Sequence, residues 1–342
     1  MTSIAIVGAG ISGLAAARTL HDAGHTVTIF EKSGEVGGRA TTRRRDGFTY
    51  DSGAQYVKGG GAVSEAWISG RFRRDDLIDI GKPVWIFDSQ GRIQEGDSLQ
   101  NADPRWNYRN GLIALAQKMA EGLDVRLETG VVRVQRIASR WRLLGTQEYF
   151  LGDFEKLLIA FPAVEAITLV KASEMAGELR EAVCAGLRET RYNPLISVML
   201  GYRPVPRIRA YYALVNTDKA HAISWLAWEH EKTAERVPEG AGLLIAQMAP
   251  QYSQEHWDTL DERLVEEVAE RVVTLIDERP GRLVFWDVQR WPYALPLEKA
   301  DGDRVNGVAL PNGLAFCGDA FVGGRVHLAL EHGVEVAKRV ME

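Results

Sequence analysis

Short runs of β-branched and aliphatic residues alternate along this chain with longer stretches of helical periodicity. Ile4-Ala5-Ile6-Val7 is such a run, continuous rather than alternating, as expected of a parallel strand buried on both faces. An alanine-rich segment over 14–23, ended by Gly24, predicts a helix, and His25 to Phe30 predicts a second strand. Farther on, strands are predicted at 48–50, 84–87, 125–127, 131–134, 141–144, 157–160, 195–200, 224–228, 243–247 and 283–288. A helix is expected over 111–121. A second, over 257–277, places Leu260, Leu264, Val268, Val272 and Ile276 on one apolar stripe. The chain closes with a strand over 313–317 and a helix from Val326 to the end.

The turn after the first strand carries chemistry. Gly8-Ala9-Gly10-Ile11-Ser12-Gly13 is a G-x-G-x-x-G between a strand and a helix, and Glu31 ends the second strand where a ribose-binding acid belongs. Gly8 permits the tight turn, Gly10 lets a pyrophosphate approach the backbone, and Gly13 lets helix and strand pack closely. The helix N-terminus offers unpaired N–H groups to the phosphates. Such an assembly binds a dinucleotide.

Glu31-Lys32 then leads into Gly37-Gly38-Arg39, where glycine backbone and a planar cation suit a second approach to phosphate. On these residues the chain resembles the FAD-binding group that includes amine oxidases, phytoene desaturases, protoporphyrinogen oxidases and renalases. Near the C-terminus, Phe316-Cys317-Gly318-Asp319 and Gly323-Gly324-Arg325-Val326 form a strand, a turn and a helix start. This matches the second half of the same signature: Asp319 would accept from the ribityl chain, and the helix N-terminus would favour the anionic reduced flavin.

The resemblance implies an α/β protein: an FAD-binding Rossmann-like domain of the glutathione-reductase type, with an inserted α+β substrate domain on an antiparallel sheet. The expected boundaries are 1–66, 119–164 and 281–342 for the first, and 67–118 and 165–280 for the second. The implied FAD contacts are Gly8, Gly10, Ile11, Ser12, Gly13, Glu31 and Lys32, then Gly38, Arg39, Ala54 and Gln55. Val131 would serve the adenine through its backbone, and Gly318, Asp319, Arg325 and Val326 the flavin end. The FAD is expected to be non-covalent, with Cys317 a packing residue.

Gly53-Ala54-Gln55-Tyr56, Arg290-Trp291-Pro292-Tyr293 and Gly324-Arg325-Val326 look like bacterial renalases. That likeness implies an oxidase of 2- or 6-dihydro isomers of NAD(P)H, with O2 as acceptor and H2O2 as product. Gln55, Tyr56, Tyr293 and Arg325 would form its catalytic set. Two features depart from that pattern: Val57-Lys58-Gly59-Gly60-Gly61 is less polar than the matching loop, and the segment around Trp106-Asn107-Tyr108 differs. The roles of Lys58, Trp106, Tyr108 and Trp291 therefore stay open. So do an amine oxidase, a desaturase or oxidase of hydrophobic substrates, and a flavin-binding partner or sensor without turnover.

Composition narrows the remaining classes. With 41 basic and 46 acidic residues among 342, the net charge is −5, unlike a nucleic-acid binder. No apolar run approaches the roughly 18 residues of a membrane span, and the N-terminus lacks the pattern of a signal peptide. Cys184 and Cys317 alone cannot build a disulfide framework, so a cytoplasmic setting is expected. The seven histidines are scattered, and no metal set is expected.

Overall fold

The computed structural model describes residues 1–73 and 75–342. Its first layer is a parallel sheet of five strands, ordered Asp124–Arg126, Thr26–Phe30, Ser3–Val7, Lys156–Ile159 and Leu314–Phe316. Side chains alternate across it. Ile4 and Ile6 pack under the helices Ile11–Asp22 and Val326–Met341, whereas Ala5 and Val7 pack under an antiparallel sheet of 131–154. Both faces of the inner strands are covered, which is why Ile4–Val7 and Leu157–Ile159 read as unbroken apolar runs, whereas the edge strand Asp124–Arg126 does not. The first and last helices touch along Gly333, where a Cβ would lie 2.2 Å from the Ser12 carbonyl oxygen.

The second layer is a seven-stranded sheet: Arg282–Glu298, Arg191–Arg203, Gly242–Met248, Ile223–Trp228, Ala213–Asn216, Val84–Phe87 and Ile93–Gln94. It is antiparallel except where Val84–Phe87 runs beside Ala213–Asn216 in parallel. One face, carrying Ile196, Val198 and Leu200, packs on Leu264, Val268 and Val272 of the helix Asp261–Ile276. That helix is shorter than its apolar stripe suggested. Leu260 caps it and is 69% exposed, and a separate turn of helix, Pro250–Glu255, precedes it. The opposite face of the sheet looks onto the first layer.

Three stretches cross the expected domain boundaries. Ile113–Ala120 packs its Ala114, Leu115 and Ala116 with Ile4 and Leu14, inside the dinucleotide unit. The helices Ala163–Ala172 and Gly177–Leu187 do likewise, placing Leu169, Val170, Val183 and Leu187 against Ile159 and Phe316. Conversely, Arg282–Glu298 is an edge strand of the seven-stranded sheet. Periodicity marks which face of an element is apolar; it does not say which layer that face will meet.

Candidate active site

A cleft of ≈ 950 Å³ runs between the two layers, from Gly8, Gly10 and Glu31 to Gly318, Asp319 and Val326. Its first wall is the turn at the end of Ser3–Val7. Gly8 has φ +104, and a Cβ there would lie 2.7 Å from the Ala160 carbonyl oxygen, so only glycine fits. Gly13 faces away from the cleft; a Cβ on it would meet the Gly8 carbonyl oxygen at 2.1 Å. Gly10 differs from both. A Cβ there would meet no other part of the chain within 4 Å, and Gly10 lines the cleft, so the room beside it belongs to the cleft. A Gly13→Ala chain is expected to lose bound flavin and about 1–3 kcal/mol of stability through overpacking. The flavin-to-protein absorbance ratio and a thermal melt measure the two effects.

Glu31 closes this turn from behind. Its carboxylate accepts from the Ala9 N–H at 2.8 Å, the Ser33 N–H at 2.9 Å and the Ser33 hydroxyl. A carboxylate has about four acceptor sites, so capacity remains for a ribose hydroxyl. Gly37 donates its N–H to the Ala9 carbonyl at 2.8 Å, which brings the second glycine pair beside the first. Ile11, Ser12, Lys32 and Gly38 line the cleft with them. Val131 is not part of that lining: its side chain packs against the core of the antiparallel sheet, which leaves only its backbone to serve the ligand.

At the other end, two residues expected to serve the ligand separately meet each other. Arg39 forms a bidentate pair with Asp319, at 2.6 and 2.7 Å, and donates to the carbonyls of Tyr293 and Ala294 at 2.8 and 3.1 Å. Both side chains line the cleft. Beside them Gly318 turns at φ +135 and donates its N–H to His332 Nδ1 at 3.2 Å. Burial pushes the Cys317 thiol up to about 12, so it is inert and suits non-covalent binding. The helix Val326–Met341 starts at Arg325, with Val326 on the cleft.

The substrate side lies under the seven-stranded sheet. Tyr56 is half-buried there, with its ring 6.1 Å from Trp225, and Tyr293 has its ring 5.8 Å from Tyr192. Arg325 is exposed at the mouth. Gln55 departs from its expected role. It lines the cleft, but its amide faces the interior: Nε2 donates to the carbonyls of Asp51 and Gly53 at 2.6 and 3.1 Å, and Oε1 accepts from Lys232 at 3.3 Å. It positions the 52–56 loop rather than presenting hydrogen bonds to a donor. Gln247 and Trp291 brace the same loop, donating to the carbonyls of Gly53 and Ser52 at 2.7 and 3.0 Å. Of the residues left open, Lys58 and Trp291 line this cleft, whereas Trp106 faces a separate hollow and Tyr108 is core.

Behind Gln55 is a group the sequence reading missed. Asp51, Glu229, Lys232 and Arg236 are fully buried as side chains and mutually ion-paired. Asp51 accepts from Lys232 and Arg236 at 2.8 Å each, from Asn107 at 2.9 Å, from the Leu112 N–H at 2.8 Å and from Thr42 at 2.6 Å. Burial alone would raise its pKa; Arg236 and Lys232 overcome that and hold it well below the usual carboxylate range. The segment Glu229-His230-Glu231-Lys232 has the composition of a solvated loop, so only tertiary structure could identify it.

The open room at Gly10, the spare acceptors of Glu31 and the second turn at Gly318 fit an extended dinucleotide whose far end is a flavin. Comparison with known proteins agrees. A family model described as an NAD(P)-binding Rossmann-like domain matches residues 6–68, and one described as flavin containing amine oxidoreductase matches residues 72–341. A 4,4'-diapophytoene desaturase of Staphylococcus haemolyticus is 44% identical over 85 residues, which span 25% of this chain and 17% of that protein. Cyclohexylamine oxidase from Brevibacterium oxydans superposes with TM-score 0.78 at 13% identity, covering 99% of this chain and 98% of that one. Putrescine oxidase bound to putrescine gives TM-score 0.78 at 15% identity, covering 99% of both chains. At such identities the superpositions speak for the fold alone. The family match covers most of the chain: this protein belongs to the flavin-containing amine oxidoreductase family, and its cofactor is FAD.

Proposed function

We propose that this protein oxidises 2- or 6-dihydro isomers of NAD(P)H to NAD(P)+. The donor gives up a hydride; O2 takes its two electrons and its proton, together with one proton from solvent, and leaves as H2O2. FAD, held by the two glycine turns, supplies the hydride acceptor. The chain's residues bind and orient the donor. Tyr56 and Trp225 offer aromatic surface to a flat ring. The loop 52–56 is fixed by Gln55, Gln247 and Trp291. A dihydronicotinamide is already a hydride donor, so this reading calls on no side chain as base.

One observation carries the reading: the charge of the substrate wall. Lys58, Arg105 and Arg325 line it with His327; against these three cations stand Asp97, which caps the helix Ser98–Ala102, and Asp103, which pairs with Lys58. Burial lowers the His327 pKa, Glu331 opposes that, and Arg325 and Lys58 add to it, so the ring itself is not one of the cations. Such a wall attracts a phosphate-bearing donor and repels a primary ammonium.

The test is anaerobic mixing of the holoenzyme with the 2-, 6- and 4-dihydro isomers and with a panel of amines. Rapid bleaching of the flavin by the first two isomers, and slow or no bleaching by the 4-dihydro form, is expected. Bleaching by amines alone would overturn the proposal. A second reading draws on Val84, Ile86, Leu195 and Val215, which line the same cleft, and on the partial desaturase match. It predicts bleaching by an apolar donor instead.

A further inference from the structure

Arg105 sits in this cleft at 7% exposure. Its guanidinium donates to the Gln100 carbonyl at 3.3 Å and to Asn101 Oδ1, both neutral, and lies 5.8 Å from the centre of the Tyr56 ring. Among the described residues no carboxylate pairs with it. A buried guanidinium with only neutral acceptors is costly, because a dipole compensates a desolvated charge only in part. Arg39 and Arg236 each have a carboxylate; Arg105 has a cavity.

The strand pairing makes the cost larger. Lys58 stands directly opposite Arg105 in the antiparallel pairing of Val57–Lys58 with Arg105–Tyr108. Directly opposed residues project to the same face, and like charges there are destabilising. Lys58 also lines the cleft; its ammonium pairs with Asp103 at 3.1 Å, which relieves one of the two cations. Asp97 lines the same cleft as the cap of Ser98–Ala102, and Asp79 accepts from the Arg105 N–H at 3.0 Å, but neither carboxylate pairs with the Arg105 guanidinium.

We propose that Arg105, with Lys58 facing it, is an anion seat that takes a phosphate or carboxylate oxygen pair of the substrate. The planar guanidinium suits a bidentate oxyanion, and the lysine adds a point charge beside it. Tyr56 lines the same cleft with its ring centre 5.8 Å from the guanidinium, so an anion on Arg105 would sit beside aromatic surface. Arg105 is then a specificity-determining residue. The inference rests on the dihydronicotinamide reading only for the identity of the anion, a dinucleotide phosphate.

The experiment titrates inorganic pyrophosphate, and separately malonate, into the oxidised holoenzyme, read by calorimetry and by the flavin absorbance. Wild type is expected to bind pyrophosphate, and Arg105→Gln to bind it about tenfold to a hundredfold more weakly, the range for a lost charge-assisted hydrogen bond. Arg105→Lys should recover part of the loss. Flavin content and the melting midpoint are measured for each variant. Should Arg105→Gln fail to retain FAD, Lys58→Gln carries the same test, with weaker binding again expected. If wild type binds neither anion, or both variants bind as wild type does, the seat is refuted, whatever the dihydro isomers do to the flavin. Binding of malonate without pyrophosphate keeps the seat as a carboxylate site and removes its support for a dinucleotide donor. Normal pyrophosphate binding with no bleaching by dihydro isomers keeps the seat and refutes the donor.

Discussion

A chain with alanine in place of Asp51 is expected to lose about 3–5 kcal/mol of folding stability, the cost of leaving buried cations without their carboxylate. Asp51 is fully buried, and five donors from separate parts of the chain converge on it: Thr42, Asn107, the Leu112 N–H, Lys232 and Arg236. Removing the carboxylate strands two cations that have only Glu229 left to share. The carbonyl of residue 51 still accepts from Gln55 Nε2, but Lys232, which donates to Gln55 Oε1, loses its Asp51 partner. The loop that faces the flavin should therefore loosen along with the fold. Urea unfolding of the holoprotein measures the stability, and the flavin-to-protein ratio measures the loop. A loss below about 1 kcal/mol, the range of an exposed pair, would show that the network contributes little.

The same carboxylate makes acid sensitivity predictable. Its pKa is lowered in the folded state, so the folded protein holds its proton less tightly than the unfolded chain does. This contribution is complete above the unfolded carboxyl value of about 3.9 and is lost as pH falls from there toward the folded value. Below about pH 4, wild type should lose stability more steeply with falling pH than Asp51→Asn. Equal slopes for the two chains would remove Asp51 from the account.

How much of this was legible before the fold was known depends on distance along the chain. The N-terminal cradle was readable because Gly8, Gly10, Gly13 and Glu31 are close in sequence and each has a local geometric reason. The C-terminal turn was readable on the same terms, through Gly318 and the helix that starts at Arg325. The strands of the seven-stranded sheet showed in their apolar runs, but the parallel pairing of Val84–Phe87 with Ala213–Asn216 did not, since no local pattern records a distant partner. Lys232 and Arg236 were invisible for a sharper reason. A charged residue in a polar segment reads as solvated, and it takes Asp51, arriving from far along the chain, together with Glu229 to make the burial tolerable. Arg105 is the converse case: its burial is visible in the structure, and its missing partner points outward to the substrate.

The pairing of Arg39 with Asp319 carries the second large expectation. It joins the two glycine turns directly, and through the carbonyls of Tyr293 and Ala294 it joins both to the edge strand of the substrate sheet. A free carboxylate at Asp319 beside the phosphate-binding region would repel an anionic ligand, and a free Arg39 would leave the strand end untethered. Arg39→Ala is therefore expected to lower FAD affinity at least tenfold to a hundredfold, the effect of about 1.5–3 kcal/mol of charge-assisted bonding. Asp319→Asn should cost less, because an amide can still accept one of the two bonds. The decisive measurement is a double-mutant cycle on FAD affinity. If the pair acts as a unit, the double variant binds no worse than Arg39→Ala alone, because the second change removes a bond already broken and neutralises the carboxylate that Arg39 had masked. Additive losses would mean that the two residues serve the cofactor independently, as the sequence motifs had suggested, and that the ion pair between them is incidental to holding it.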